Sequence, residues 1–403
     1  MDHYLTPVRI RSKYFKDKCF ESELLNMDRK YIVRKFLEMG YLLTPEALEF
    51  LEKNKNIEKI LETFHSKNFI ITIDELTSFE VPKIDRIKIL KNILSFPDKL
   101  KKNDFLKFYL SRYEQYKKII EERISLNFTS ISSLKNGMKD VSIISMIHEI
   151  KESDSFVKLL VDDPTGEIIA IVDKKIYDEL VNVDDVLVLT GDVRMENGKA
   201  VLEVKKILWP DVPLRSPIKG YGRICVISDL HLDEAPISSF INFLKWFNEQ
   251  DIKYLFVLGD LGDIKKFEEL INEHLIREKI IFTIPGERDE KRYPGIPIHF
   301  ENENIVSLSN PSLVELNGVK ILLIHKFDRN MIKKRCLGKP NYILEKDFLV
   351  LDEIPDLILF GHTHNQEITN YKSITIVNPG SLLTEFVPTI IDLETRNYEQ
   401  RRF

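Results

Sequence analysis

The sequence predicts a multidomain chain: a small α-helical N-terminal module, a small β-barrel and a C-terminal α/β sandwich. Three changes of pattern carry this expectation. Helical spacing dominates the first hundred or so residues, short β-branched runs replace it near Ser125, and apolar strands alternating with helices begin after Trp209-Pro210. The boundaries read as 1–100 for the helical module, 101–124 for a charged helical linker, 125–215 for the barrel and 221–403 for the sandwich. A length of 403 residues, at a loose prior of about 150 per domain, agrees with two or three cores.

Composition removes several function classes. At 43% hydrophobic and 31% charged, the chain is too apolar for general disorder and too evenly charged for a fibre. No run approaches 18 uncharged apolar residues, and the opening stretch MDHYLTPVRIRSKYFKDK lacks the apolar run of a secretion signal, so no membrane role is expected. Cys19, Cys225 and Cys336 are few and far apart, which predicts neither a disulfide framework nor a zinc knuckle and suits a reducing cytoplasm. A formal net charge of -5, from 59 basic and 64 acidic residues, argues against coating nucleic acid by bulk electrostatics. Any such contact must be local or shared with a partner.

In the helical module, Ile32, Phe36 and Met39 recur at amphipathic spacing between Met27 and Gly40, and Gly40 can end that helix. Thr44-Pro45-Glu46 opens a second one, with a capping hydroxyl, proline at the first turn and an acid beside it. The pair is expected to be an ordinary helical or docking module, since no basic recognition face stands out. Lys101 to Arg123 reads as a solvated linker helix; the alternative is a partner-facing stripe of Phe105, Tyr109, Tyr113 and Tyr116.

Five short strand runs follow: VSIISMIHEI, FVKLLV, EIIAIV, DVLVLTGDV and AVLEVKKIL. Asp162-Asp163-Pro164-Thr165-Gly166 and the hairpin pair Asn197-Gly198 separate some of them, and a helical insert is expected near Lys174 to Leu180. This matches a Greek-key barrel of the OB-fold type. Few aromatic residues and acidic turns favour protein docking over base stacking. His148 is expected to be structural.

From Arg223 onward, buried strands end in polar loops, and ligands of such sheets sit at the carboxyl ends of the strands. Asp229 and His231 follow the first strand, Asp260 and Asp263 the second, Glu287 the third, His325 a later one, and His362 and His364 the last. Carboxylates and imidazoles converging from several loops are donors suited to divalent transition metals. A lone histidine would mean little; four of nine histidines falling on strand ends in this order point to a metal centre.

Asp229-Leu230-His231, Gly259-Asp260-Leu261-Gly262-Asp263, Gly286-Glu287-Arg288-Asp289, His325 and Gly361-His362-Thr363-His364 resemble the five motifs of the calcineurin-like metallophosphoesterases over about 180 residues. With a helical module and an OB-type barrel before them, and with the segments DDPTGEI, VISDLHL, GHTH and NPGS, the chain is similar to the small subunits of archaeal family D DNA polymerases. It is likewise similar to the B-subunits of eukaryotic replicative polymerases. The resemblance implies a 3′–5′ proofreading exonuclease with two divalent metal ions, Mn²⁺ being the expected one. It also implies a separate large catalytic polymerase subunit as partner, single-stranded or primer-template DNA as substrate, the sliding clamp as a further candidate partner, and a cytoplasmic, nucleoid-associated setting. Carried across by motif, one ion would be held by Asp229, His231, Asp260 and His364, and the second by Asp260 as bridge, Glu287, His325 and His362.

The third motif departs from the family's Gly-Asn-His-Asp/Glu. Glu287 can still offer oxygen to a hard cation. Arg288 stands where the family has a histidine that assists the leaving group, and a guanidinium cannot act as a general acid near neutral pH, although it can stabilise phosphate charge. Two outcomes stand: an exonuclease weakened or lost with the histidine, or one retained because Arg288, with Asp260, serves the chemistry. The same fold as an inactive scaffold B-subunit, and a stand-alone metallophosphoesterase, are the alternatives. Asp263 could orient a ligand or cap the next helix, Asp233 and Asp289 are read as supporting or surface groups, and Asn378-Pro379-Gly380-Ser381 as a closing loop or a plain tight turn. His274 and His299 match no motif. Lys265-Lys266, Arg288, Lys291-Arg292 and Lys333-Lys334-Arg335 are candidate basic patches for DNA.

Overall fold

The computed structural model describes residues 29–54, 57, 60–61, 64, 66, 68–78, 85–97 and 102–403. Met27 and Cys19 lie outside them. The chain divides into two compact units between Ile84 and Asp85.

In the first unit, α1 (Arg29–Glu38) buries Ile32 and Phe36 one turn apart, and Gly40 follows at φ +88°, the left-handed stop that glycine accommodates best. α2 (Pro45–Glu52) starts as its sequence dictates, with Thr44 Oγ1 accepting from the Ala47 amide at 3.3 Å and proline in the first turn. The unit is not purely helical. β1 (Leu42–Leu43) and β2 (Ile70–Ile71) pair in parallel ahead of α3 (Ile73–Ser78).

The second unit begins earlier than expected. Residues 85–97 belong to it because β3 (Ile87–Lys91) pairs antiparallel with a strand of the C-terminal sandwich, Leu316 facing Ile87. α4 (Lys102–Arg123) comes next, followed by the barrel strands β4 (Val141–Glu152), β5 (Phe156–Asp163), β6 (Gly166–Asp173), β7 (Val186–Glu196) and β8 (Lys199–Leu208). They close in the order β4-β5-β6-β8-β7 around Ile143, Leu159, Val172, Leu189 and Leu202. Asn197 and Gly198 both adopt positive φ, the requirement of a tight hairpin turn. The expected helix at 174–180 is absent. Asp173 Oδ1 accepts from the Lys175 amide at 2.8 Å and Asp178 Oδ1 from the Leu180 amide at 3.0 Å, so the aspartates draw the backbone into turns instead. His148 is exposed and pairs with Asp162 at 2.9 Å, a structural role as expected.

The sandwich holds two six-stranded sheets. One runs β12 (Ile305–Ser307), β11 (Ile280–Thr283), β10 (Tyr254–Val257), β9 (Arg223–Ile227), β18 (Thr389–Asp392), β19 (Tyr398–Gln400). The other runs β16 (Gln366–Tyr371), β17 (Ile374–Pro379), β15 (Leu357–Leu359), β14 (Val319–Leu323), β13 (Ser312–Leu316), β3. Val226, Phe256, Ile321 and Leu359 meet between the sheets. α5 (Ile237–Glu249) and α6 (Ile264–His274) cover the outer face of the first sheet through Phe240, Phe243, Phe247 and Phe267. The continuous apolar strands are thus buried on both sides. α6 stops at His274, and beyond it the Lys279 ammonium donates to the Gln250 and Ile252 carbonyls at 2.6 and 2.9 Å. Among the described residues, no helix is long and apolar enough to cross a membrane.

α4 is not a solvated linker. Tyr113 donates to the Ile144 carbonyl of the barrel at 3.2 Å, while Tyr116 donates to the Arg335 carbonyl of the sandwich at 2.9 Å. Arg112 Nε lies 2.6 Å from Asp347 Oδ2, with the two side chains only 5% and 1% exposed, and Arg112 Nη1 also donates to the Asp184 carbonyl. Phe105 alone of the aromatic stripe faces outward. The pattern of aromatic residues was legible, but the face it marks is shared by barrel and sandwich, Tyr113 meeting one and Tyr116 the other, and periodicity does not reveal what covers a face. From α7 (Asn330–Lys334), Lys333 reaches Asp178 at 2.8 Å and Lys334 reaches Asp185 at 2.7 Å, adding charge pairs to the same seam.

Because Arg112 cannot reach water, Asp347→Ala should cost about 3–5 kcal/mol of stability in denaturant unfolding of the complete chain. Replacing both partners, Arg112→Met with Asp347→Leu, should recover most of that loss.

Candidate metal centre

The strand ends bring the candidate donors together at a backbone cost. Asp229 (φ 51°), His231 (45°), Asp260 (50°), His362 (70°) and His364 (58°) all occupy the left-handed region. For residues with a β-carbon, such conformations cost on the order of 1–3 kcal/mol each and persist only where the surroundings impose them. Cross-loop hydrogen bonds do so here: the Asp229 amide donates to the Gly259 carbonyl at 3.1 Å, the His231 amide to the Asp260 carbonyl at 3.0 Å and the Gly361 amide to the His325 carbonyl at 2.9 Å. Three glycines allow the loops to approach this closely. A β-carbon on Gly286 would overlap Asp260, one on Gly259 would strike the Gly286 backbone, and one on Gly361 would overlap Ser228 and Asp229.

Five donors form two overlapping groups. Asp229, His231 and His364 place ligand atoms within 4.8 Å of one another, and so do Asp229, Asp260 and His325. His231 Nε2 and His364 Nε2 face each other at 3.1 Å, and His364 Nε2 is 3.5 Å from Asp229 Oδ1. His325 Nε2 is 3.4 Å from Asp260 Oδ2, buried and without a hydrogen bond. His362 packs edge-on to His325, with ring centroids 5.5 Å apart, and Glu287 Oε2 stands 3.9 Å from His362 Nδ1. Glu287 is mostly exposed and its other oxygen faces Lys326 at 3.8 Å.

Burial and pairing set the charges. Burial disfavours the charged form of Asp260, but pairing with His325 outweighs it and holds the carboxyl down to about 2. His325 is likewise desolvated, yet the Asp260 carboxylate lifts it to about 9. Burial raises Asp229 and lowers His231 and His362, which leaves those two rings neutral and able to offer a lone pair.

The supporting residues are mostly ones that sequence reasoning left open or missed. Asp229 accepts from the His362 amide at 3.0 Å and from the Ser228 hydroxyl, and the Ser381 hydroxyl donates to its carbonyl at 2.8 Å. Asn378 donates to the Gly361 carbonyl at 3.0 Å, so the Asn378–Ser381 turn braces the loops carrying donors. Asn310 accepts from the His325 amide at 3.1 Å, and the Leu258 carbonyl lies 2.7 Å from His325 Nδ1, which orients the ring. Asp289 gathers the Gly286 and Leu261 amides at 2.9 and 3.1 Å, tying the third loop to the second. Asp263 caps α6 through the Lys266 amide. Ser228 and Asn310 carried no signal in the sequence, because their roles exist only where strands distant along the chain meet.

Arg288 is divided between two tasks. Its amide donates to Asp260 Oδ1 at 2.9 Å, while its guanidinium pairs with Glu234 at 2.7 Å and lies 3.6 Å from Asp233. The hydrogen bond to Glu234 raises its pKa further, so it is a fixed cation. Other expected basic patches change character. Arg292 pairs with Glu290 at 2.6 Å, Lys266 donates to the Leu232 carbonyl, Lys333 and Lys334 belong to the barrel seam, and Arg335 is buried, its pKa pushed down to about 10.

This donor set suits divalent cations: carboxylate oxygens and neutral imidazoles converge, and His325 Nε2 and His231 Nδ1 are buried without hydrogen-bond partners. Residues 223–395 match the calcineurin-like phosphoesterase superfamily domain. The chain is 25% identical over 435 residues to a DNA polymerase II small subunit of Thermoplasma acidophilum, covering 90% of this chain and 87% of that one. It is 28% identical to the Methanothermobacter thermautotrophicus DNA polymerase II small subunit over 70% of this chain and 73% of the relative, and 24% identical to the Archaeoglobus fulgidus one over 88% and 91%. Likeness of this extent runs well beyond the phosphoesterase domain, into the barrel and the seam before it, so that the chain is similar over most of its length to archaeal proteins named DNA polymerase II small subunit.

Proposed function

We propose that the chain is the small subunit of a family D replicative DNA polymerase, and that it hydrolyses phosphodiesters at a two-metal 3′–5′ proofreading site while docked to the large polymerase subunit. The observation that supports this best is the convergence of Asp229, His231, Asp260, His325 and His364 from strand ends, all but His325 on left-handed backbone. Asp229, His231, Asp260 and His364 would hold one ion and Asp260, Glu287, His325 and His362 the other, with Mn²⁺ the expected metal. When bound, such a pair activates water and neutralises phosphate charge for in-line displacement. The chain's own residues do the remaining work. Ser228 and the His362 amide fix the Asp229 carboxylate, Asp289 holds the third loop against the second, and Arg288, released from Glu234, contributes fixed positive charge to a bound phosphate. Arg288 has no proton to give near neutral pH, so a leaving oxygen must be protonated from elsewhere.

The present ion pair of Arg288 with Glu234 supports a second reading, in which the fold is kept as a scaffold for the large subunit and the sliding clamp without chemistry of its own. In either case the acidic chain must meet single-stranded or primer-template DNA through local basic groups or through its partner, in the cytoplasm.

Two measurements test this. Adding Mn²⁺ to chelator-treated chain should raise its unfolding temperature, by the equivalent of about 2.7 kcal/mol at a hundredfold excess over Kd, and Asp229→Ala should remove that rise. In 3′–5′ cleavage of single-stranded DNA with Mn²⁺, with and without the large subunit, Asp260→Ala should lose at least about 10²-fold, while Glu287→Asn with Arg288→His should gain up to about 10²–10⁴-fold if general acid assistance is what the native pair lacks. Cleavage by the reverted chain alone would establish the scaffold reading.

A further inference from the structure

A pocket of about 490 Å³ opens directly beside the candidate metal centre, sharing Glu287 and His325 with it. That volume lies within the range of small-molecule sites, roughly 300–1,000 Å³. Its floor is apolar: the Tyr293 ring, whose hydroxyl is tied to the Leu337 carbonyl, with Met331 and Leu337 beside it. Gly338, at φ +114°, belongs to the same wall, and a β-carbon there would stand 3.3 Å from the Tyr293 ring. The rim is basic. Lys291, Lys326 and Lys339 surround the opening; Lys326 meets Glu287 only at 3.8 Å, and among the described residues neither Lys291 nor Lys339 has an acidic partner within salt-bridge distance. Two more charged residues line the pocket, Arg292 and Glu290, and they pair with each other, while Arg288 nearby is taken by Glu234, so these lysines are the local charge left to attract an anion on a chain of net charge -5.

A flat aromatic and thioether floor suits a base, and an ammonium rim suits a phosphate. We infer that this pocket receives the terminal nucleotide of a DNA strand, stacking its base against the Tyr293–Met331 floor and holding its phosphate between the rim lysines and the metal centre. The inference rests on the phosphodiesterase reading above and adds to it where the residue beside the scissile bond goes. It also makes α7 a shared element, since Met331 lines the pocket while Lys333 and Lys334, within the same five-residue helix, pair with the barrel.

The test is direct binding of deoxyadenosine monophosphate to the complete chain in EDTA, followed by calorimetry or ligand-observed NMR, with inorganic phosphate and deoxyadenosine as comparisons. The nucleotide should bind at least about tenfold more tightly than either fragment, and Met331→Trp, which fills the pocket, should weaken it by about tenfold or more. Lys339→Glu, on the exposed rim, should weaken it as well and guards against misfolding of the core variant. Equal binding of nucleotide and phosphate, or nucleotide binding indifferent to both substitutions, would overturn the inference. Hydrolysis of bis(p-nitrophenyl) phosphate by the native chain with Mn²⁺, in the presence of the large subunit, reads the metal centre separately. Hydrolysis without nucleotide binding sinks the pocket alone, whereas nucleotide binding without hydrolysis leaves the pocket standing and sinks the phosphodiesterase reading.

Discussion

A close approach of backbone to backbone between the donor loops governs the candidate chemistry of this protein. The loops after β9, β10, β11 and β15 crowd so tightly that Gly259, Gly286 and Gly361 have no space for a β-carbon, and the room they leave is filled by Asp229, Asp260 and Ser228. The left-handed turns at Asp229, His231, Asp260, His362 and His364 follow from the same crowding. Each costs free energy that the two buried cores on either side of the first sheet supply many times over. A looser arrangement would relieve the strain and separate the donors.

The electrostatics depend on the same closeness. At 3.4 Å, Asp260 and His325 hold one another charged against the pull of burial, whereas His231 and His362 lose the contest with desolvation and stay neutral. Charge is therefore concentrated on the Asp260–His325 pair, with the uncharged nitrogens of His231 and His362 beside it. That is a distribution a cation completes rather than disturbs.

A second constraint joins barrel to sandwich. α4 lies between them, hydrogen-bonded to one through Tyr113 and to the other through Tyr116, with the buried Arg112–Asp347 pair beside them. α7 continues the seam through Lys333 and Lys334. Residues that look like a solvent-exposed basic cluster in one dimension are thus engaged within the second unit, and the surface cations near the metal centre include those around its pocket and the partly engaged Arg288.

The strands of the barrel and sandwich, the hairpin at Asn197-Gly198, the Thr44 cap and the order of donors along the chain were all legible, because each depends on period, turn chemistry or a short motif. The helix expected at 174–180 failed on local competition from aspartate side chains. Glu287 and Arg288 were visible as departures from a motif, but not their partners Lys326, Glu234 and Asp233. The sequence by itself determined which residues end the buried strands, and hence which chemistry is available there. Only the tertiary structure decided which cations are spent on carboxylates, which faces of α4 are covered and which backbones are forced left-handed, since each depends on distances between segments far apart in the chain.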